Sequence, residues 1–283
     1  MLIRTGAIDY RQPINWQSPL SRGVVAWWRC LPLWTNGNRW LDLLGQNPAV
    51  FNGDMAAASA TSGWNGTSRS GGDGEVRFDG TDDYGAINGF LGTTSLPVSV
   101  SVLLYIRAGS KGIRFAVANT GGATTRFYLG LQAAGSSDLG FRCGSVTIST
   151  SISDLTWYHL CGGVWDGNGG IECYVNGVSI GTNASTGITT FNNVMKIGAF
   201  GNATSSYWDG GIDDVIVHQQ RLESEQVAAL YQSSLLGHPE LLRRRVVRYY
   251  SVPAVLGRTT FNTRSHPLGI RAGHNRRISL IES

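Results

Sequence analysis

Cleaving a glycosidic bond takes two carboxyl groups that bracket it, and alternate positions on a strand present side chains to one side. No Glu-x-Asp-x-Glu or Glu-x-Asp-x-x-Glu spacing occurs in the chain. Glu223 and Glu225 are the closest glutamate pair. They open a segment that reads as a helix, where carboxylates complement the dipole. The five histidines, His159, His218, His238, His266 and His274, form no zinc-spaced pair. No catalytic residue is assigned, and the expectation is a protein that is not an enzyme.

Binding chemistry is better represented. Hard cations take several oxygens, from carboxylates and loop carbonyls, and Asp82-Asp83 and Asp213-Asp214 are the candidate donors. The alternative is that these aspartates accept hydrogen bonds from turn amides. Trp64, Tyr207 and Trp208 lie in Gly/Ser-rich stretches and can stack on a sugar, or Trp208 can plug the end of a sandwich. The third set is cationic. Residues 238–283 hold nine arginines against two acids, a charge of +7, while residues 1–237 hold 14 basic and 17 acidic residues, a charge of −3. Arg243, Arg244, Arg245 and Arg248 stand beside Leu241, Leu242 and Tyr250. Guanidinium groups suit bidentate pairing, and the segment reads as a partner-binding arm. The expected partners are protein, including further copies of this chain. Nucleic acid is disfavoured because no recognition motif accompanies the charge.

The elements that must position these groups are short strands. Glycine supplies 38 of 283 residues, about twice its usual ~7%. Charged residues are 15%, below the usual ~25%. Val98 to Ile106 begins with strict alternation, the pattern of a half-buried strand. Asn176-Gly177 between Tyr174-Val175 and Val178 marks a hairpin, since Asn-Gly tolerates the positive φ of a type I′ turn. Ten to twelve such strands with no interleaved helices imply a sandwich or jelly roll. One helix is expected over 224–231, with Val227, Leu230 and Tyr231 on one face. The domain is placed at 23–232, with an N-terminal arm over 1–22 and a basic C-terminal arm over 233–283 that can form a helix over 239–250. Cys30, Cys143, Cys161 and Cys173 read as buried free thiols. No apolar run approaches a membrane span, and the first 17 residues lack the pattern of a secretion signal.

A series of short motifs runs through this span. Gly23 to Trp28 is similar to an opening strand, and Leu41 to Asn47 to a "D-x-S-G-N" loop. Val76 to Tyr84 is close to "FDG-x-DDY". Trp157-Tyr-His159, Trp165-Asp-Gly167 and Tyr174 to Gly177 match "W-x-H", "(Y/W)DG" and "YVNG". Lys196 to Gly198 is close to "RIG", Asp209 to Val217 to "DG-x-IDDVRIY", and Leu222 to Tyr231 to a closing helix. In this order the motifs resemble the laminin-G-like, concanavalin A-like jelly-roll family. Cys30 and Leu31 stand where an acid is usual, and Glu223 where a capping serine is usual. The resemblance implies an all-β, two-sheet antiparallel jelly-roll sandwich with one short C-terminal helix and extended arms. It also implies that the Asp82-Asp83 and Asp213-Asp214 loops stand close together and share calcium, as in some members.

The layout further resembles a phage-encoded subset, through Ile14-Asn15-Trp16 and Pro19 to Gly23 before the first strand and Pro239 to Arg245 after the helix. The function expected from this is a structural or accessory virion protein, decorating a capsid or associated with a tail or fibre. It would be anchored by its arms, assembled in the host cytoplasm and able to contact host glycans. The alternatives are a bacterial carbohydrate-binding or adhesion module at the cell surface, and third a glycan hydrolase.

Overall fold

Val98, Val100, Val102, Leu104 and Ile106 all point into one apolar core, while Ser99 and Ser101 face the other way. This alternation builds the central strand of a two-layer structure. The computed structural model describes residues 14–30, 38–55, 62–65, 74–90, 96–109, 112–119, 127–132, 137–165, 170–184, 191, 194–200, 206–236, 238 and 241. The strands are β1 (Val24–Trp28), β2 (Arg39–Trp40), β3 (Ala49–Asn52), β4 (Gly63–Asn65), β5 (Glu75–Asp79), β6 (Tyr84–Asn88), β7 (Val98–Ile106) and β8 (Arg114–Asn119). They continue as β9 (Phe127–Leu131), β10 (Asp138–Cys143), β11 (Val146–Ser151), β12 (Trp157–Val164), β13 (Ile171–Val175), β14 (Val178–Asn183), β15 (Val194–Ile197) and β16 (Asp209–His218). The helix α1 spans Ser224–Leu235, four residues beyond its expected end. No helix among the described residues is long and apolar enough to cross a membrane.

Two antiparallel eight-stranded sheets face each other. The first has the order β14-β13-β12-β7-β16-β5-β4, with β1 also paired to β16. The second has the order β11-β10-β9-β8-β15-β6-β3-β2. Strand β16 serves two neighbours on one edge. Asp209 to Ile212 pair with β5, and Val215 to His218 pair with β1. The change of partner falls at a bulge between Asp213 and Ile216, and Asp214 there has φ 49°. Asn176 and Gly177 have φ 50° and 78°, the hairpin turn expected from their types. The fold is the jelly-roll sandwich expected from the sequence.

The inner faces form a single apolar cluster that includes Trp28, Trp40, Phe78, Phe127, Phe141 and Trp208. All four cysteines are free and buried. A second cluster lies on the outside of the first sheet. There Val227 and Leu230 of α1 pack with Trp27, Cys161, Tyr174 and Ile216, joined by Ile14, Leu20 and Leu241. Ile14 and Leu241 come from the segments expected to be arms, and the Asn15 amide donates to the Leu241 carbonyl at 2.7 Å. The roots of both terminal segments therefore meet on the domain. The Gln226 side chain accepts from the Glu223 amide at 3.0 Å, so the start of α1 is satisfied without the usual serine. The stretch 239–250 expected to be helical lies outside the described residues except for Leu241, as do Leu242, Arg243, Arg244, Arg245, Arg248 and Tyr250.

Candidate functional site

The four aspartates read as one cation site occupy two places. Asp213 and Asp214 sit on the β16 bulge, buried in the first sheet. Asp213 Oδ1 accepts from the Cys30 amide and the Asp214 amide, both at 2.7 Å. Asp214 Oδ1 accepts from Trp27 Nε1 at 3.1 Å and lies 3.8 Å from Arg29 Nε, and Asp214 Oδ2 lies 3.0 Å from His238 Nε2. Both carboxylates are used by β1 and the segment after α1, so the expected four-aspartate site does not form. The bulge turns them toward β1 rather than toward the Asp82-Asp83 loop.

Asp82 and Asp83 instead meet Asp54, which follows the Asn52-Gly53 turn. One carboxylate oxygen from each of the three lies within 4.8 Å of the others. Gly53 has φ 77°, and a Cβ there would stand 2.7 Å from Asp83 Oδ1 and 3.0 Å from both the Asp82 carbonyl and Asp82 Oδ1. The missing side chain leaves a cradle walled by oxygens. Asp83 is 0% exposed. Its Oδ2 accepts from the Asp79 amide at 2.9 Å, while its Oδ1 is buried with no hydrogen-bond partner. Burial pushes the Asp83 carboxyl up to about 6, against the pull of the Ser62 hydroxyl and the Asp79 amide. An all-oxygen donor set with an orphaned buried carboxylate oxygen fits a hard cation such as calcium rather than a thiolate- or imidazole-seeking metal.

An aromatic pair adjoins this cradle. Tyr84 directly follows Asp83 and opens β6, and its ring lies 6.3 Å from that of Tyr207. Burial, the Tyr84 phenol and the Asp82 carboxylate together push the Tyr207 phenol up. Lys196 Nζ stands 4.1 Å from the centre of the Tyr84 ring. Of the three aromatics expected to meet a sugar, only Tyr207 is here. Trp208 is 1% exposed, and its Nε1 donates to the Gly211 carbonyl at 3.3 Å, so it plugs the core and offers no face to a ligand. Trp64 lies on the edge strand β4 opposite Val76 and packs on the inner core. The sequence reading did not single out Asp54, Tyr84 or Lys196. Asp54 follows an Asn-Gly turn, Tyr84 ends the Val76–Tyr84 motif, and Lys196 is one of only two lysines.

Glu223 and Glu225 lie at the start of α1. Gly177-Val-Ser179-Ile-Gly181 spells the serine-hydrolase motif but runs from a hairpin turn into β14, not from a strand into a helix. Ser179 Oγ donates to Glu172 Oε1 at 3.3 Å, a carboxylate rather than an imidazole.

A family model described as the concanavalin A-like lectin/glucanases superfamily matches residues 79–228. Among solved structures, domain 4 of AbnA, a GH43 extracellular arabinanase from Geobacillus stearothermophilus in complex with arabinotriose, is 18% identical with a TM-score of 0.56. That match covers 74% of this chain and 98% of that one. A mutant of Trypanosoma rangeli sialidase displaying trans-sialidase activity is 15% identical with a TM-score of 0.55, over 76% of this chain. The match spans 33% of the sialidase chain. No curated protein matches the sequence.

Proposed function

This chain belongs to the concanavalin A-like lectin/glucanases superfamily, and from that premise we propose that it is a non-enzymatic glycan-binding module whose site is the sandwich rim at Asp54, Asp82, Asp83, Tyr84 and Tyr207. The observation that carries the reading is the convergence of an oxygen-lined cradle and a tyrosine pair at one place. Asp54, Asp82 and Asp83, with the Asp82 carbonyl, would hold a calcium ion. Calcium takes six to eight oxygens, so these four donors leave positions for water or sugar hydroxyls, and a bound ion supplies positive charge to them. Tyr84 and Tyr207 offer apolar ring faces beside that polar centre, the combination sugar sites use. The saccharide-bound domain of AbnA shares the fold.

The metal is tested by thermal melts. A ligand that binds only the folded state at one hundred times its Kd adds about 2.7 kcal/mol. Calcium should raise the melting temperature of the full chain and chelator should reverse it. Asp83→Asn and Gly53→Ala should abolish the calcium response. In chelator, Asp83→Asn should melt no lower than the parent, because the amide removes a buried charge whose Oδ1 has no partner and keeps an oxygen for the Asp79 amide. No response of the parent to calcium would remove the metal from this reading. Binding is tested on a glycan array, with Tyr207→Ala expected to lose signal and no reducing ends released from any bound glycan. Release would make the protein a hydrolase.

We also propose that this module is part of a phage virion, attached by its terminal segments. The split of −3 and +7 between residues 1–237 and 238–283 supports this, as does the meeting of the two segment roots at Asn15 and Leu241. A chain ending after Arg245 should keep its melt and fail to join particles. Normal incorporation, or absence of the protein from a mass-spectrometric inventory of purified particles, would refute the attachment.

A further inference from the structure

The outer face of the second sheet carries a row of side chains separate from the rim carboxylates. Residues directly opposite each other across antiparallel strands share a face. Following the pairs Arg39–Val50, Val50–Ala86, Ala86–Lys196, Lys196–Ala118, Ala118–Tyr128, Tyr128–Arg142 and Arg142–Thr147 crosses all eight strands. The inner neighbours along these strands, Trp40, Phe51, Ile87, Ile197, Leu129 and Phe141, are all in the core, so the row faces outward. Arg39, Lys196 and Arg142 are its cations. Among the described outward positions of the sheet the one acid is Asp138, which accepts from Ser151 Oγ at 2.7 Å. None of the three cations has a carboxylate partner among the described residues. Arg39 is exposed. Arg142 lies over the Tyr128 ring at 5.6 Å and donates to the Gly144 carbonyl.

Lys196 is the centre of the row. The alanines on either side of it, Ala86 and Ala118, leave it flanked by low ground. Beyond them stand Tyr84 with Tyr207 on one side and the Phe115–Tyr128–Phe200 cluster on the other. Its ammonium is half-buried over the Tyr84 ring, and burial pushes its pKa down. A half-buried cation with no counter-charge is costly unless a ligand supplies one. Its position on Tyr84 joins the row to the rim site.

We infer that this face binds an acidic polysaccharide, with Lys196, Arg142 and Arg39 engaging its anionic groups and Tyr84 stacking on a sugar ring. The inference rests on the glycan-binding reading above and names the class of glycan. The spacing argues for this occupant. Lys196 is three strands from Arg39 and three from Arg142, about 14 Å each way at a strand separation of ~4.8 Å. Duplex DNA presents one charge per ~1.7 Å, far denser than three cations across the sheet. A polysaccharide carries at most one carboxylate per sugar in a uronate polymer, closer to this density than a duplex, and its sugar rings also supply the aromatic contact.

The test is affinity electrophoresis of the full chain through gels of polygalacturonate, alginate and hyaluronan, each beside its carboxyl-reduced form, in chelator so that the rim metal does not contribute. A duplex oligonucleotide runs as a further arm. Acidic forms should retard the protein and reduced forms should not. Lys196→Ala with Arg142→Ala should weaken retention at least tenfold, and Lys196→Arg should restore most of it. The tail arginines are present in every variant, so the loss reads on the face, and melts confirm that the variants fold. The inference is overturned if reduced forms retard the chain as well as acidic ones, if the double variant binds unchanged, or if the oligonucleotide binds more tightly than every polysaccharide. Binding of reduced forms that is lost in Tyr207→Ala would leave the glycan-binding reading standing while this inference falls. No retention by any polymer would overturn this inference, and a blank array with calcium present would overturn the glycan-binding reading with it.

Discussion

His159 is 2% exposed on the outside of the first sheet, with neither ring nitrogen hydrogen-bonded. Burial pushes it down to about 3, with His238 adding to the shift and Asp214 opposing it. His218 is pushed down to about 4 by burial, against its contact with the Leu20 carbonyl. Both imidazoles are neutral in the folded chain and protonate near pH 6.5 once unfolded. Their contribution to stability is therefore complete above about pH 6.5 and is lost as pH falls toward 4. Each adds a slope of up to about 1.4 kcal/mol per pH unit. A urea titration series between pH 7 and 4.5 should show this loss, and a flat profile would contradict it. His159→Leu should reduce the slope. It should also raise stability at pH 7 by about 1 kcal/mol, since an apolar group replaces two unsatisfied nitrogens. Residue roles were only partly legible in the sequence. Trp208 and Tyr207 are adjacent and share a Gly/Ser-rich context, yet one is core and one borders the rim. Composition carries no sign of which side of a sheet a loop residue enters.

Among the elements, the inner face of β12 shows how closely the sheets approach. Gly162 pairs with Val100 and Cys173 and faces Phe141 of β10 across the sandwich, where a Cβ would fall 2.5 Å from the ring. Gly162→Ala should cost about 1–3 kcal/mol through overpacking, read as a lower denaturation midpoint at an unchanged m-value. A gain in stability would mean that the ring moves aside freely. The strand β7, the Asn176-Gly177 hairpin and the helix were legible because their signals are local: a period of two, a turn dipeptide and a helical face. The bulge at Asp213-Asp214 was not, because it arises where β16 changes partner from β5 to β1. That one irregularity diverts two aspartates from cation binding to holding β1 and His238.

For the molecule as a whole, the segment after α1 belongs to the domain. Leu241 is 0% exposed in the second cluster, and His238 packs edge-on to Trp27 with ring centres 5.1 Å apart. A chain ending at Gly237 leaves the buried Asp214 without His238 and uncovers Trp27, which should cost about 3 kcal/mol. Calorimetry of chains ending at Gly237 and at Arg245 separates the two, with only the shorter one expected to melt early. Equal melts would show that His238 and Leu241 add nothing. The cost is cushioned because Trp27 Nε1 and Arg29 still attend the carboxylate.

By itself the sequence determined the class, the strand-rich sandwich, the single helix and the family, since these rest on period, turn chemistry and the order of short motifs. It also determined the separation of charge between residues 1–237 and 238–283, which is a matter of counting. Only the tertiary structure decided which aspartates meet. Asp54 lies 28 positions before Asp82, and a cation cradle is a property of strand pairing: β3 and β6 are neighbours, so the turn after one meets the loop before the other. The cationic row is the same case carried further. Arg39, Lys196 and Arg142 share no motif and lie far apart in the chain, and they face one way because antiparallel register places them on one side of the sheet.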